Sequence, residues 1–202
     1  MHNPFKKHSD KKETIDPLPP GQTITTKLPV FSYGKTPIIG LDEWRLRIDG
    51  LVKNKKTLEW ASFLELTQTT VVADFHCVTQ WSRLNNLWQG VLFKDIATLV
   101  TPLKQARFVI IHCYGGYATN LPLTILLEKN VILANQLDGY DLDPDHGWPL
   151  RLIVPSRYGW KSAKWVTHLE FVKKDAPGFW ENRGYNNNAD PWKEDRFWPE
   201  LR

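Results

Sequence analysis

One cysteine, in the stretch ADFHCVTQWS, is the first residue of this sequence to consider for chemistry. Cys77 follows a β-branched run at residues 69–72 and so stands where a strand is predicted to end. As a nucleophile it would need a histidine base. His76 is adjacent, and on a strand it would point to the opposite face. The other histidines in question are His112, His146 and His168. No cysteine-protease signature surrounds Cys77.

The thiol has other possible uses. The chain has two cysteines, Cys77 and Cys113, which are too few for a disulfide framework and too far apart for a typical zinc site. Each could be a small buried apolar residue, and this holds most strongly for Cys113 within its apolar strand. A thiolate also suits a soft transition metal. If an organic carrier with a phosphate brings that metal, one protein ligand is enough, and a separate cationic site must hold the carrier.

A basic segment between His146 and His168 could provide that cationic site. It contains four Lys and Arg residues and no acidic residue, so its charge equals the formal net charge of +4 for the whole chain. The four are Arg151, Arg157, Lys161 and Lys164. Concentrated positive charge predicts an anionic partner, although a solvated surface with extended side chains is the ordinary alternative.

The composition is that of an ordinary globular protein of 202 residues, with 42% hydrophobic and 24% charged residues. The N-terminus has neither an apolar signal region nor twin arginines, and no run is long enough for a membrane span. The expectation is a cytoplasmic protein with reduced thiols that binds no nucleic acid.

The elements that must position these residues are mainly strands. Alternation or β-branched runs predict strands near residues 44–49, 69–73, 107–113, 131–136, 150–154 and 165–171. Short helices are predicted at 57–66, 93–100 and 120–127. The fold class is therefore α+β, with mixed β-sheets and short helices. Residues 1–25 are expected to form a flexible arm, and residues 26–202 a single domain whose aromatic tail wraps over the body.

Five blocks in order resemble one known family: WRLRIDGLV, DFHCVTQWSRLNNLWQGV, HCYGGYATNLPL, HGWPLRLIVPSRYGWKSAKWV and PGFWENRGYNNNADPW. The chain is similar to the molybdopterin-binding oxidoreductases of the sulfite oxidase fold, and most similar to their small single-domain bacterial branch. This resemblance implies molybdenum held by one molybdopterin and by one protein cysteine, at the position of Cys77. It also implies two-electron oxygen-atom transfer on a small oxyanion, sulfoxide or N-oxide.

The same resemblance implies a set of site residues. Cofactor-binding roles fall on His146, Arg151, Ser162, Ala163 and Lys164, with Ser162 and Ala163 acting through backbone N–H groups. Further candidates are Lys161 for added charge, Cys113 and His76 near the cofactor, Tyr185 and Arg83 toward the substrate, and the indoles of Trp81, Trp148 and Trp160 as walls.

The sequence also departs from the family in ways that leave the substrate open. Tyr33, in residues 31–37, stands about where animal and plant sulfite oxidases carry a sulfite-binding arginine. Their second domain and haem domain have no counterpart here, and neither does the export signal of the sulfoxide-reducing relatives. A separate electron-transfer partner is expected, because the chain has no haem, flavin or iron–sulfur motif. Two alternatives stay open: a non-catalytic anion-binding module and a cysteine hydrolase.

Overall fold

The structure is a computed structural model that describes residues 18–198. Within this range the strands are β1 (Thr23–Ile24), β2 (Arg45–Gly50), β3 (Lys56–Glu59), β4 (Thr69–His76), β5 (Trp81–Leu92), β6 (Phe108–Cys113), β7 (Ala118–Pro122), β8 (Ile132–Leu137), β9 (Tyr140–Asp141), β10 (Arg151–Ile153) and β11 (Val166–Val172). The α-helices are α1 (Trp60–Leu64), α2 (Phe93–Val100) and α3 (Leu123–Leu126). Short 3₁₀ turns connect several of these elements.

The strands form two mixed sheets. The first follows the order β1-β5-β8-β10, with β4 also paired to β5 and β9 to β8. The second follows the order β3-β2-β11-β6-β7, in which β11 runs parallel to β2 and antiparallel to β6. Many strands with few short helices fit the predicted α+β class, which is confirmed.

Apolar side chains from both sheets meet in the larger of two cores. Ile48, Ile111 and Leu169 from the second sheet pack in the same cluster as Leu133 and Leu152 from the first. The smaller cluster contains Phe75, Trp88, Ile132 and Ile153 of the first sheet. Because side chains alternate along a strand, the two faces of the first sheet serve different cores.

This alternation decides where the chemistry-bearing residues point. On β10, Leu152 belongs to the larger core while Ile153 belongs to the smaller one. Arg151 therefore shares the face of Ile153, and its guanidinium lies over the rings of Phe75 and Trp88 at 5.3 and 5.4 Å from their centroids. The strand alternation thus directs a cation toward the aromatic face of the first sheet.

Several predicted elements differ in kind or extent from those observed. The helix expected at 57–66 is the strand β3 followed by α1, because Arg45 to Ile48 pair with residues 56–59. The helix expected from Asn120 is the end of β7 and then α3, which begins only after Pro122. The long strand β5 was not predicted, since its start contains polar residues such as Ser82 and Asn86 without alternation.

The predicted flexible arm of residues 1–25 overlaps the described chain only in part. Residues 1–17 lie outside the described residues. Thr23 and Ile24, in contrast, pair in parallel with Trp81 and Ser82 of β5, so this end of the segment is part of the first sheet. The single domain over 26–202 stays a prediction. Between residues 18 and 198, no helix has the length and apolar character needed to cross a membrane.

Candidate functional site

A cavity of about 340 Å³ lies where five separated parts of the chain meet. Its walls come from residues 28–35, 75–81, 114–117, 146–165 and 180–185. A cavity of this size can hold most of a small organic ligand. Among the described residues that line it there is no Asp or Glu, whereas Arg151, Lys164 and Lys35 contribute positive charge. The cavity is therefore suited to a ligand that carries negative charge on at least one side.

Cys77 lines this cavity directly after the last residue of β4. Its backbone is fixed by bonds from its N–H to Trp81 O (2.9 Å) and from Gln80 N–H to its carbonyl (3.1 Å), which form a tight turn between β4 and β5. Its Sγ lies 3.1 Å from the Thr79 hydroxyl. Within residues 18–198 no histidine ring bonds the sulfur, and His146, which lines the same cavity, bonds Leu28 O instead.

Arg151 is a buried cation without a protein counter-ion among the described residues. Only 2% of the residue is exposed. Its guanidinium donates to His146 O (2.8 Å) and Ser162 O (3.2 Å), and its Nε has no partner. Burial lowers the pKa of Arg151 to about 9, so it remains charged at neutral pH. A buried charge that bonds only carbonyl groups is incompletely compensated, and an anion in the cavity would complete it.

Lys164 is the second cation of this wall. Its ammonium donates to Ser32 Oγ (2.7 Å) and Asp145 O (2.6 Å). Burial, together with the nearby charge of Arg151, lowers the pKa of Lys164 to about 7, and Asp145 opposes this shift. Two cations that disfavour each other's charge are the arrangement that a bound phosphate would stabilise.

His146 connects this cationic wall to the segment at residues 28–35. Its Nε2 lies 2.8 Å from Leu28 O, and because a carbonyl only accepts, Nε2 must carry the proton. Its Nδ1 lies 3.5 Å from Asp143 Oδ2. The bond from Nε2 to Leu28 O thereby orients the ring.

Ser162 and Ala163 also line the cavity, but Ser162 does not offer the backbone group that was expected of it. The Ser162 N–H donates to Gly159 O (3.1 Å), and its hydroxyl accepts from Val154 N–H (2.9 Å). Ser162 instead holds Arg151 through its carbonyl. This is a correction to the expected role of its N–H.

Aromatic rings form another part of the cavity wall. Tyr185 lines the cavity, with its ring centroid 5.1 Å from Trp160 and 5.0 Å from Trp180. Burial and the proximity of Cys77 raise the pKa of Tyr185. Trp81 lines the cavity from another side and stacks on Phe75 at 5.8 Å.

Four residues expected near the cofactor or the substrate are not among those that line the cavity. Arg83 pairs with Asp138 and donates to Thr26 O and Asn86. His76 points away from Cys77, as alternation requires, and bonds Ser82 Oγ at 2.7 Å. Cys113 is buried in the larger core, where burial raises its pKa. Trp148 packs between the two cores.

Lys161 is also absent from the cavity wall, for a different reason. It is fully buried, and its ammonium lies 2.6 Å from Glu181 Oε1 and 2.8 Å from Asn120 O. Its charge is therefore already used inside the protein. Burial lowers the pKa of Lys161, and the Glu181 carboxylate opposes that shift.

The structure also adds wall residues that sequence reasoning missed. Tyr114, Gly115 and Tyr117 reach the cavity from the turn between β6 and β7, and Trp180 reaches it from the tail. The first three lie in the block HCYGGYATNLPL, so their clustering with the Gly-Gly pair was an available signal. A second signal was Gly159, where an added Cβ would lie 2.6 Å from the Phe75 ring.

Residues 33–180 match the family described as oxidoreductase molybdopterin binding domain, which is most of the chain. The chain belongs to this family. It is 41% identical over 181 residues to the uncharacterized oxidoreductase YuiH of Bacillus subtilis (strain 168), covering 89% of this chain and 91% of that protein. It is 31% identical to the putative protein-methionine-sulfoxide reductase subunit YedZ1 of Azospira oryzae, covering 85% of this chain and 66% of that protein.

A solved structure supports the fold of this molybdopterin oxidoreductase. The sulfane dehydrogenase SoxCD from Paracoccus pantotrophus matches with a TM-score of 0.66 at 20% identity, over 81% of this chain and 46% of that chain. The predictions of family, fold class, oxidoreductase activity and a molybdenum–molybdopterin cofactor are thereby confirmed. The cavity fits this cofactor, since it joins the Cys77 thiol to the buried and incompletely compensated cation of Arg151 and to the half-buried cation of Lys164.

Proposed function

We propose that this oxidoreductase holds its molybdenum through Cys77 and its pterin phosphate through Arg151 and Lys164. One observation carries the proposal: a single cavity contains Cys77 and both cations, although more than seventy residues separate them in the sequence. When bound, the cofactor supplies two-electron oxygen-atom chemistry to a small substrate. A separate electron-transfer protein exchanges these electrons, and the expected location is the cytoplasm.

The protein's own residues divide the work along the cavity. Arg151 presents a forked guanidinium and Lys164 a point charge, and these are the two usual forms of phosphate recognition. His146 and Ser162 fix the position of Arg151 through their carbonyl groups. The rings of Trp81 and Phe75 provide a flat wall beside Arg151.

In the part of the cavity that contains Cys77, the protein contributes aromatic rings and one hydroxyl. Tyr185, Trp160 and Trp180 line the same cavity as the sulfur and contact one another through their rings. A tyrosine hydroxyl is protonated at neutral pH and can donate a hydrogen bond to a substrate oxygen. Within residues 18–198 no protein group bonds the Tyr185 hydroxyl, so it is free to donate.

The two cysteines provide a matched test of the metal ligand. Both are buried and free, but only Cys77 lines the cavity. The protein and its Cys77→Ser and Cys113→Ser variants are produced in a host that makes molybdopterin, and molybdenum is measured by mass spectrometry. Cys77→Ser should lower the metal content by about tenfold or more, while Cys113→Ser should retain it. Full retention in Cys77→Ser, or equal loss in both variants, contradicts the assignment.

A further inference from the structure

The turn that contains Cys77 includes a residue in an unfavourable backbone conformation. The turn joins β4 to β5 at residues 77–80, and Gln80 has a φ of 71°, in the left-handed region that costs free energy for a residue with a side chain. Inside the hairpin, the turn is closed by the bonds from Cys77 N–H to Trp81 O and from Gln80 N–H to Cys77 O. A turn of this kind keeps one geometry only when its surroundings support it.

Three carbonyl groups of this turn accept hydrogen bonds from distant segments of the chain. The bonds are Gln22 Nε2 to Cys77 O (3.1 Å), Arg196 Nη1 to Val78 O (3.3 Å) and Thr23 N–H to Gln80 O (2.9 Å). The first of these reaches the carbonyl of the cysteine itself. It fixes the peptide bond that follows Cys77, while the bond at Cys77 N–H fixes the peptide bond that precedes it. The backbone from which the sulfur projects is therefore held on both sides.

The side-chain amide of Gln22 is oriented by a directional chain of hydrogen bonds. Because a carbonyl only accepts, the amide nitrogen must face Cys77 O, and the amide oxygen then faces Ser82. Ser82 Oγ donates its single proton to Gln22 Oε1 at 3.1 Å. His76 Nδ1 lies 2.7 Å from the same hydroxyl, so Nδ1 carries a proton and donates it. The donors thus run in one direction, from His76 through Ser82 and Gln22 to the cysteine carbonyl.

This chain of bonds is protected from water over most of its length. Ser82 is fully buried and His76 is 4% exposed, with the indole of Trp192 in edge-on contact with the imidazole. Gln22 is half-buried and directly precedes β1, whose pairing with β5 holds it opposite the turn. Hydrogen bonds with which water does not compete hold their geometry most firmly.

We propose that Gln22 is a positioning residue for the cysteine ligand, and that His76 and Ser82 act through Gln22. The inference rests on the proposed function, in which Cys77 holds the molybdenum. Removal of a residue that orients a metal ligand through hydrogen bonds changes metal affinity or activity by about 10–100-fold. His76 does not line the cavity, and it contributes to the site from the opposite face of β4.

Gln22→Met tests this role, because it keeps the length of the side chain and removes both amide bonds. Gln68→Met is the matched control, since its amide also donates to backbone carbonyl groups, at residues 63, 64 and 66, away from the cavity. In the unloaded protein, amide hydrogen exchange at residues 77–81 should accelerate by about tenfold in Gln22→Met and keep the wild-type rate in Gln68→Met. Ser82→Ala should accelerate it less, because Gln22 then keeps its own bond and loses the hydroxyl that orients it.

The loaded protein provides a measurement that a purely structural role of Gln22 does not change. The molybdenum content of Gln22→Met should fall by about tenfold. The electron paramagnetic resonance signal of the partly reduced metal should broaden, because a sulfur that is no longer fixed takes more than one position. Gln68→Met should keep both the metal content and the signal width of the wild type, even where its stability to urea is lower.

The positioning role and the ligand assignment fail in different ways. If Cys77→Ser loses molybdenum while Gln22→Met equals Gln68→Met in exchange rate, metal content and signal width, the positioning role is wrong and the ligand assignment stands. If Cys77→Ser retains molybdenum, the proposed function is overturned and the positioning role loses its ligand. Faster exchange together with unchanged metal content and signal width in Gln22→Met also overturns the inference, since Gln22 then supports only the turn.

Discussion

Arg151 and Lys161 are two buried cations in the same basic segment, ten residues apart, with opposite surroundings. Lys161 has an internal carboxylate at 2.6 Å, on Glu181. Arg151 has only carbonyl partners and an unbonded Nε, and it lines the cavity. The charge of Lys161 is compensated inside the protein, whereas the charge of Arg151 is available to a ligand. A buried charge thus indicates a binding site only when its counter-ion is missing.

The largest loss of stability is expected from breaking the buried ion pair of Lys161 and Glu181. Glu181→Gln keeps the shape of the side chain but leaves the Lys161 ammonium buried without a carboxylate. Trp160 Nε1 and Thr119 Oγ1 donate to the same oxygen, and the amide oxygen of glutamine can still accept from them, so the variant removes mainly the charge. Removing one partner of a buried pair costs about 3–5 kcal/mol of the free energy of unfolding. Urea unfolding of the unloaded protein measures this loss.

The double variant Lys161→Met/Glu181→Gln is the control for that experiment. Both charges disappear together while the amide oxygen still accepts from Trp160 and Thr119, so the stability should recover most of what Glu181→Gln loses. If Glu181→Gln is as stable as the wild type, the ion pair does not compensate Lys161 in the way that the geometry indicates.

At Arg151 we expect a small change in stability and a large loss of molybdenum. Arg151→Met removes a cation that lacks a counter-ion and also two bonds to carbonyl groups, so the stability of the unloaded protein should change by only about 1 kcal/mol. Its molybdenum content should fall by about tenfold or more, because one of the two phosphate-binding cations is lost. Mass spectrometry and urea unfolding on the same samples separate the two effects. A variant that loses stability as Glu181→Gln does, yet keeps its metal, reverses the comparison.

The sequence indicated a cationic site. It did not indicate which of its cations line the cavity and which is paired inside the protein. The acid-free run from His146 to His168 predicted an anionic partner, and Lys161 was assigned to the same site as Arg151 and Lys164. Lys161 does not serve the cavity because it is paired with a counter-ion from the aromatic tail. The sequence of that tail shows no periodicity. Long-range pairing of this kind is decided by tertiary packing.

The site around Cys77 was predictable to a similar degree. The β-branched run placed the cysteine at a strand end, and alternation predicted that His76 points away from it. The role expected of Arg83 is not supported by its position, because sequence proximity to Cys77 says little within a hairpin. Its strand turns the side chain outward to Asp138. The polar start of β5 concealed that strand.

Lys164 should make anion binding depend on pH. Its pKa is lowered to about 7 in the unloaded protein, and a bound anion favours the charged form, so binding above pH 7 requires uptake of a proton. Sulfate affinity of the unloaded protein should be constant below pH 7 and fall by up to about tenfold per pH unit above it. Calorimetric titration between pH 6 and 8 measures this fall.

Lys164→Arg is the control for the pH dependence, because arginine stays charged across the range. Its sulfate affinity should be flat above pH 7. The other charged or titratable groups near Lys164 are Arg151 and His146 in the cavity and Asp145 outside it. An equal fall in the wild type and in Lys164→Arg assigns the pH dependence to one of them and contradicts the role of Lys164.

The smallest effect is expected from the exposed pair of Arg83 and Asp138, which extends the comparison from buried to partly solvated charges. Burial raises the pKa of Asp138, but bonds from Arg83 and the Leu87 N–H outweigh it and leave the pKa lowered. The pair therefore stabilises the fold above the ordinary pKa of an aspartate, and this contribution is lost as the pH falls through the lowered value. Arg83→Gln should cost about 1 kcal/mol at pH 7 and less near pH 3, with molybdenum content unchanged. Urea unfolding at both pH values measures this difference. A loss of molybdenum in Arg83→Gln would instead support a role for Arg83 in the cofactor site.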